Sequence, residues 1–413
     1  MHLSWPGGPL HGTAQLPASK SEANRALILQ ALAGGGTLSN LSDAHDTQLM
    51  RRLLVAAPNT SVLDAEDAGT VMRFLTAYLA MTGWRGQLTG TARMQERPIA
   101  VLVGALRQAG ARITYLKNEG FPPLEFDGLV ATDTGGPGRM EMRGDISSQY
   151  ISALLMLSPY QPGGLRLRLT GTVGSRPYID MTLALMRLFG ADCKVEGDTI
   201  WVEPTPYRPT DYTVESDWSA ASYWYSLVAL APAGSEIILP GLREQSLQGD
   251  QAVVSIMAHF GVQTTFLPTG VHLKQVPLPT GNEALSFDFT DCPDLAQTVA
   301  VVAAALAIPV EMTGLESLRI KETDRIMALQ NELAKFSGNL REVGAGRFRV
   351  ESAEFAVKDQ LVATYHDHRM AMAFAPLALR GLLTIEAPQV VKKSYPQFWK
   401  ELAQAGFIIG EAD

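Results

Sequence analysis

Cysteine is nearly missing from this 413-residue chain: Cys193 and Cys292 stand far apart, and neither belongs to a CxxC pattern. A reducing, cytoplasmic setting with free thiols is thereby expected in preference to a disulfide scaffold. Charge is also scarce, at 18% of residues with a net of -8. Such a balance gives no global attraction for nucleic acid or anionic membrane, so neither is expected as a partner. No basic start followed by an apolar run and a cleavage site opens the chain, and no uninterrupted apolar stretch reaches the roughly 18 residues of a membrane span. The phosphate-binding patterns GxxxxGK[ST] and GxGxxG do not occur, and Gly7-Gly8 and Gly34-Gly35-Gly36 read as turns. His366-Asp367-His368 could set two imidazoles on one face of a strand, but no further ligand cluster follows. No metal and no organic cofactor is expected.

What the chain has is apolar mass and a repeat. At 46% hydrophobic residues burial is ample, and the length exceeds what one core usually supports, which predicts two domains. A small polar start followed by an Ala- and Leu-rich helix recurs at residues 21–33, 69–81, 148–157, 219–231, 294–308 and 368–380. Each is followed by a short strand, at 36–41, 86–90, 165–171, 236–241, 310–314 and 382–386. In most units a second helix then ends in Gly or another small residue before another strand, as at 97–110, 178–190, 250–261 and 396–406. The first helices are apolar nearly all round and read as buried, whereas the second ones carry a polar face. The fold class is therefore α/β (α+β), with six helix-and-strand units dividing as three plus three into two similar domains. Successive first-helix starts lie 48 residues apart from Ser21 to Gly69 but 71 to 79 apart afterwards. Material is missing near 46–66, and 53–60 is too short for a full second helix with two strands.

One stretch stands out. Arg319-Ile320-Lys321-Glu322-Thr323-Asp324-Arg325 packs three cations and two carboxylates into seven residues between an apolar strand and a helix. Thr323 or Asp324 can cap that helix, which puts Arg325 in the first turn, where the helix dipole disfavours a cation. The bland reading is a solvated turn. The functional one is an anion held by Lys321 and Arg325, with Glu322 available for proton transfer. Cations also crowd the starts of the buried first helices, where free N–H groups already suit an anion: Lys20 and Arg25, Arg73, and Arg369. Ser147-Ser148-Gln149 adds neutral donors at another. Burying such cations unpaired would cost several kcal/mol, so their recurrence argues for an external anion. Asp294, after Pro293, reads either as a helix cap or as a base. Arg93 and Lys393, taken alone, read as surface residues.

Together these residues give the chain a resemblance to the 5-enolpyruvylshikimate-3-phosphate synthase family. It is carried by Ser19-Lys20-Ser21-Glu22-Ala23-Asn24-Arg25, by Asp67 to Arg73, by Arg93-Met94-Gln95-Glu96-Arg97-Pro98, and by Ser147-Ser148-Gln149-Tyr150. Ser175-Arg176-Pro177-Tyr178, Pro293-Asp294, Arg319 to Arg325, Asp367-His368-Arg369-Met370 and Lys393-Ser394-Tyr395-Pro396 continue it in the family's order. The resemblance implies two domains of three repeated units each, an inside-out barrel arrangement with the substrate cleft between them. Residues 19–215 would form the first domain, on the shikimate 3-phosphate side, and residues 1–18 plus 216–413 the second, discontinuous one. It implies phosphoenolpyruvate among Lys20, Arg93, Lys321, Arg325, Arg369 and Lys393, with the backbone at Gly69-Thr70. Shikimate 3-phosphate would meet Lys20, Ser21, Arg25, Ser147, Ser148, Ser175, Asp294, Ser317 and Lys321, with Gln149 reaching both ligands and Arg73 in support. The chain departs from the family pattern at Asp67 (usually Asn), Phe74 (usually Pro) and Ser317 (often Asn).

The reaction so implied moves the carboxyvinyl group of phosphoenolpyruvate to the 5-hydroxyl of shikimate 3-phosphate and releases phosphate, by addition and elimination. Asp294 would take the hydroxyl proton, and Glu322, assisted by Lys20, would handle the methylene proton. No cofactor takes part, and a monomer is expected. A sister enolpyruvyl transferase acting on UDP-N-acetylglucosamine shares the repeat architecture, but is expected to show a Lys-Asn start and usually a reactive loop cysteine, where this chain has Ser-Lys-Ser and none. A catalytically silent, anion-binding paralogue is the alternative of a different class.

Overall fold

In the computed structural model, which describes residues 1–130, 138–279 and 284–410, the helix Ala296–Ala305 is buried at every position, as a sequence that is all Ala, Val and Thr but for Gln297 favours. Trp218–Leu230 is buried at all but Ser219. Helices of this kind have no polar stripe to give to water, so they form the interior, and strands and amphipathic helices pack round them. The chain divides into two compact units, Met1–Ala18 with Glu215–Asp413, and Ser19–Val214.

Among the described residues each unit holds three sheets. In the unit of 19–214, one runs Val62–Asp64, Arg85–Thr89, Leu124–Leu129, Ala111–Tyr115, and a second Gly138–Arg143, Leu165–Thr170, Thr199–Val202, Cys193–Glu196. Both have the same plan: an outer strand parallel to the strand after the buried helix, then an antiparallel hairpin. The other unit repeats it in Leu285–Asp288, Val310–Thr313, Arg347–Ser352, Gly338–Gly344.

The remaining sheets follow the same plan with borrowed pieces. In Gln360–Val362, Leu383–Ile385, His2–Ser4, Ile408–Gly410, the N-terminal strand supplies the third position. Beside Glu236–Pro240 the parallel edge is supplied by the N-terminal segment, through Glu236 N to Leu10 O at 2.7 Å and Ala14 N to Ile238 O at 3.0 Å. The first unit keeps only the parallel pair, Leu38–Ser39 with Tyr212–Thr213.

The expected trimming takes a particular form: the second helix is present as His45–Ala56, and among the described residues what the first unit lacks is the antiparallel hairpin. Asp46, Arg51 and Arg52 hid the helix in a charged stretch, although Leu49, Met50 and Leu53 line its buried side. Two other expectations change. The stretch at 366–368 is no strand, because Tyr365 and His366 take left-handed conformations and Asp367 caps the helix His368–Phe374. That helix then tightens to a 3-10 turn at Ala375–Leu379, where Pro376 has no N–H to give to an α-helical bond. Among the described residues no helix is long and apolar enough to cross a membrane.

Candidate active site

In the unit of Met1–Ala18 and Glu215–Asp413, four first turns and loops bring charge together around Arg325. This residue opens the helix Arg325–Ala334, capped by Asp324, whose carboxylate accepts from Ile326 N and Met327 N. Arg325 is only 2% exposed and reaches three carboxylates: Nε to Asp367 Oδ2 at 2.7 Å, Nη1 to Asp294 Oδ1 at 2.9 Å, and Nη2 to Glu322 Oε2 at 2.8 Å. Burial would lower its pKa, but Asp367, Glu322 and Asp294 more than offset this and hold the proton more firmly than usual. A buried cation in a first turn is tolerable here because its partners are buried with it.

Asp294 is not a helix cap. It sits in the 3-10 turn Pro293–Leu295, where no side chain caps the helix, and its second oxygen accepts from Arg369 Nη2 at 2.8 Å. Burial would raise the Asp294 carboxyl, yet Arg369, Lys321 and Arg325 prevail and hold it well below the usual carboxylate range. Lys321 is pushed down by burial, with Asp294 opposing. Lys393 Nζ stands 3.8 Å from Glu322 Oε1. Lys321, Arg325, Arg369 and Lys393 thus face Asp294, Glu322 and Asp367, a dense cationic lining suited to an arriving anion. Ser317 lies half-buried in the neighbouring turn Glu316–Ile320.

Two further side chains complete this cluster, and the sequence gives neither of them a role in it. Tyr223 Oη accepts from Arg369 Nη1 at 3.2 Å, and its phenol is pushed up to about 12 by burial. Asp367 serves twice, accepting from Arg369 N at 2.8 Å as a cap and from Arg325 as an ion pair. Only its place before a helix start could have marked it.

The unit Ser19–Val214 holds the other group of expected residues. Ser19 caps the helix Lys20–Ala33, and Lys20 Nζ lies 3.2 Å from Asp46 Oδ2, a carboxylate on the helix that the sequence concealed. Arg25 is buried, its Nε on Thr182 Oγ1 at 2.7 Å, Nη1 on Ser21 O at 2.8 Å and Nη2 on Ser152 Oγ at 3.1 Å. The rings of Phe74 and Tyr178 lie 5.3 and 5.8 Å away, so Phe74 has a packing role where the family usually has Pro. Those three polar partners are neutral, and burial brings Arg25 down to about 10. A buried guanidinium satisfied by hydroxyls and a carbonyl is suited to an anion.

Ser147 caps the helix Ser148–Leu157. In its first turn Gln149 accepts from Arg73 Nη1 at 2.7 Å and donates to Thr70 Oγ1 at 3.0 Å. Gly69 lies beneath Arg73 and Arg97, since a Cβ there would meet a guanidinium nitrogen of each at 2.7 Å. Ser175 takes a left-handed conformation, φ 54°, before the helix Arg176–Leu188, a strain of the sort that collects at functional sites. Arg93 and Asp67 are exposed, and Arg93 pairs with Glu96 at 3.0 Å.

Dense cations that hold three acids in place, on repeated α/β units, mark a site for anionic substrates. The family model of EPSP synthase (3-phosphoshikimate 1-carboxyvinyltransferase) matches residues 54–402. A 3-phosphoshikimate 1-carboxyvinyltransferase of Bacteroides fragilis is 50% identical over 97% of this chain and 96% of its own. Those of Methanospirillum hungatei and Escherichia coli are 37% and 36% identical, over 96% and 95% of the chain and 96% of their own lengths. An EPSP synthase structure from Acinetobacter baumannii, 21% identical, shares the fold with a TM-score of 0.79 over 99% of both chains. The chain belongs to the EPSP synthase family.

Proposed function

We propose that the chain transfers the enolpyruvyl group of phosphoenolpyruvate to the 5-hydroxyl of shikimate 3-phosphate, releasing phosphate, in the shikimate route to aromatic amino acids. The observation that carries this reading is the Asp294 carboxylate gripped by Arg325 and Arg369, in a chain of this family. In the addition, the hydroxyl O–H breaks toward Asp294, its oxygen bonds to C2 of phosphoenolpyruvate, and the methylene carbon gains a proton. In the elimination, the C–O bond to the phosphate breaks and a methyl proton leaves, restoring the double bond. Glu322 and Lys20 handle the carbon-bound proton.

A base so strongly restrained is weak until its cations are diverted. Substrate phosphates and carboxylates drawing on Arg369, Lys321 and Arg325 lift that restraint, so Asp294 gains proton affinity only once the anions are in place. Arg25 and the serines Ser21, Ser147, Ser148 and Ser175 receive shikimate 3-phosphate, with Ser317, Lys321 and Gln149. Lys20, Gly69, Arg93, Gln149, Arg325, Arg369 and Lys393 receive phosphoenolpyruvate. The two domains of the enzyme correspond to the halves divided near residues 18 and 215, and the protein acts as a cytoplasmic monomer.

Phosphate release from phosphoenolpyruvate that appears only when shikimate 3-phosphate is added tests the reading. Release independent of that second substrate, or none at all, refutes it.

A further inference from the structure

Behind Asp294 lies a carboxyl that the reaction as drawn does not use. Asp250, in the 3-10 turn Gly249–Ala252, is 4% exposed. Its Oδ2 accepts a short hydrogen bond from Ser219 Oγ, while its Oδ1 is buried with no partner. The same Ser219 oxygen accepts from Arg369 Nη2 at 3.4 Å, the nitrogen that holds Asp294 at 2.8 Å. Tyr223 holds the other arm of that guanidinium. The chain Asp250, Ser219, Arg369, Asp294 is therefore continuous.

We propose that Asp250 is a positioning residue for the enolpyruvyl transfer: through the Ser219 hydroxyl it fixes the Arg369 guanidinium against Asp294 and sets the strength of Asp294 as a base. The inference rests on the function proposed above.

The groups that bear on Asp250 come from each neighbouring element. Ser219 and Asp217 lie at the start of the helix Trp218–Leu230, Asp294 and Cys292 at the turn before Ala296–Ala305, and Arg369 in His368–Phe374. Burial raises the Asp250 carboxyl first, Asp294 adds to this, and Arg369 and Ser219 oppose, leaving it at about 7. The Cys292 thiol, pushed up to about 12 by burial, stays neutral. Ionised Asp250 places a second anion beside Arg369, shares its charge, and raises the proton affinity of Asp294 by like-charge repulsion. Turnover then rises as pH passes through the Asp250 titration.

The test is kcat against pH at saturating substrates for the wild type, Asp250→Asn and Ser219→Ala. The wild type should show a rising limb near pH 7, where the Asp250 carboxyl titrates. Asp250→Asn lacks that limb, and its kcat at about pH 8 is about 10-fold lower, less than the full effect of a general base, with KM for both substrates within about threefold. Ser219→Ala, which cuts the link to Arg369, gives a smaller limb and moves it to higher pH, because the hydroxyl that stabilised the carboxylate is gone. An Asp250→Asn enzyme with the wild-type limb and plateau overturns the proposal, as does a Ser219→Ala enzyme whose limb stays in place. A wild type with no shikimate-3-phosphate-dependent release refutes the function itself. A wild type that turns over with unaltered variants refutes only this inference.

Discussion

Arg325 binds three acids at once, and two kinds of substitution near it part company. Arg325→Met leaves Asp294, Glu322 and Asp367 crowded without their common cation, and denaturant unfolding should report a loss of roughly 3–5 kcal/mol, as when one partner of a buried pair is removed. Asp294→Asn keeps the shape and removes the base, so turnover should drop by roughly 100- to 10,000-fold with folding retained. The depressed Asp294 carboxyl also predicts an acid sensitivity. A carboxyl whose folded pKa lies below its unfolded value of about 4 stabilises the protein above that value and ceases to as pH falls toward the folded one. The thermal midpoint of the wild type should therefore fall more steeply than that of Asp294→Asn on acidification below about pH 4. Much of this cluster was legible in the sequence, because seven residues from Arg319 to Arg325 in a weakly charged chain are a local signal. Asp250 and Tyr223 were not, since what makes them distinctive is burial beside Arg369, which no neighbouring residue in the chain announces.

Elements were read best where composition alone decides them. A run such as Ala296–Ala305 has no polar face and admits one reading, and the helices Gly69–Met81 and Ser148–Leu157 have the bounds their sequence suggested. Ends were harder. The helix expected at 294–308 opens with a 3-10 turn and stops at Ala305, and the one expected at 368–380 gives way at Pro376. The helix His45–Ala56 escaped because its buried Leu49, Met50 and Leu53 alternate with charges that look like a loop. Where Thr323 and Asp324 both suited the cap, the aspartate takes the role. Asp324→Ala should accordingly cost about 1 kcal/mol in denaturant unfolding, whereas Thr323→Ala should cost little.

For the molecule as a whole, the N-terminal segment matters out of proportion to its length. It fills the third position of one sheet and the parallel edge of another, and buries Leu3, Leu10 and Ala14. Deleting residues 2–14 should lower unfolding stability by about 3 to 6 kcal/mol, from two lost leucines alone, and leave unpaired strands that promote association, measurable by light scattering. No local pattern reveals such a debt between the two ends of a chain, because strand pairing between residues nearly 400 apart leaves no periodicity in either. The unit Ser19–Val214 draws its sheets from its own residues and can mature while synthesis continues. His2–Ser4 must wait for Leu383–Ile385 and Ile408–Gly410 to emerge from the ribosome, roughly 20 to 80 s later at ordinary elongation rates. A strand made early is thus seated late, and in that interval its backbone donors and acceptors stay unpaired.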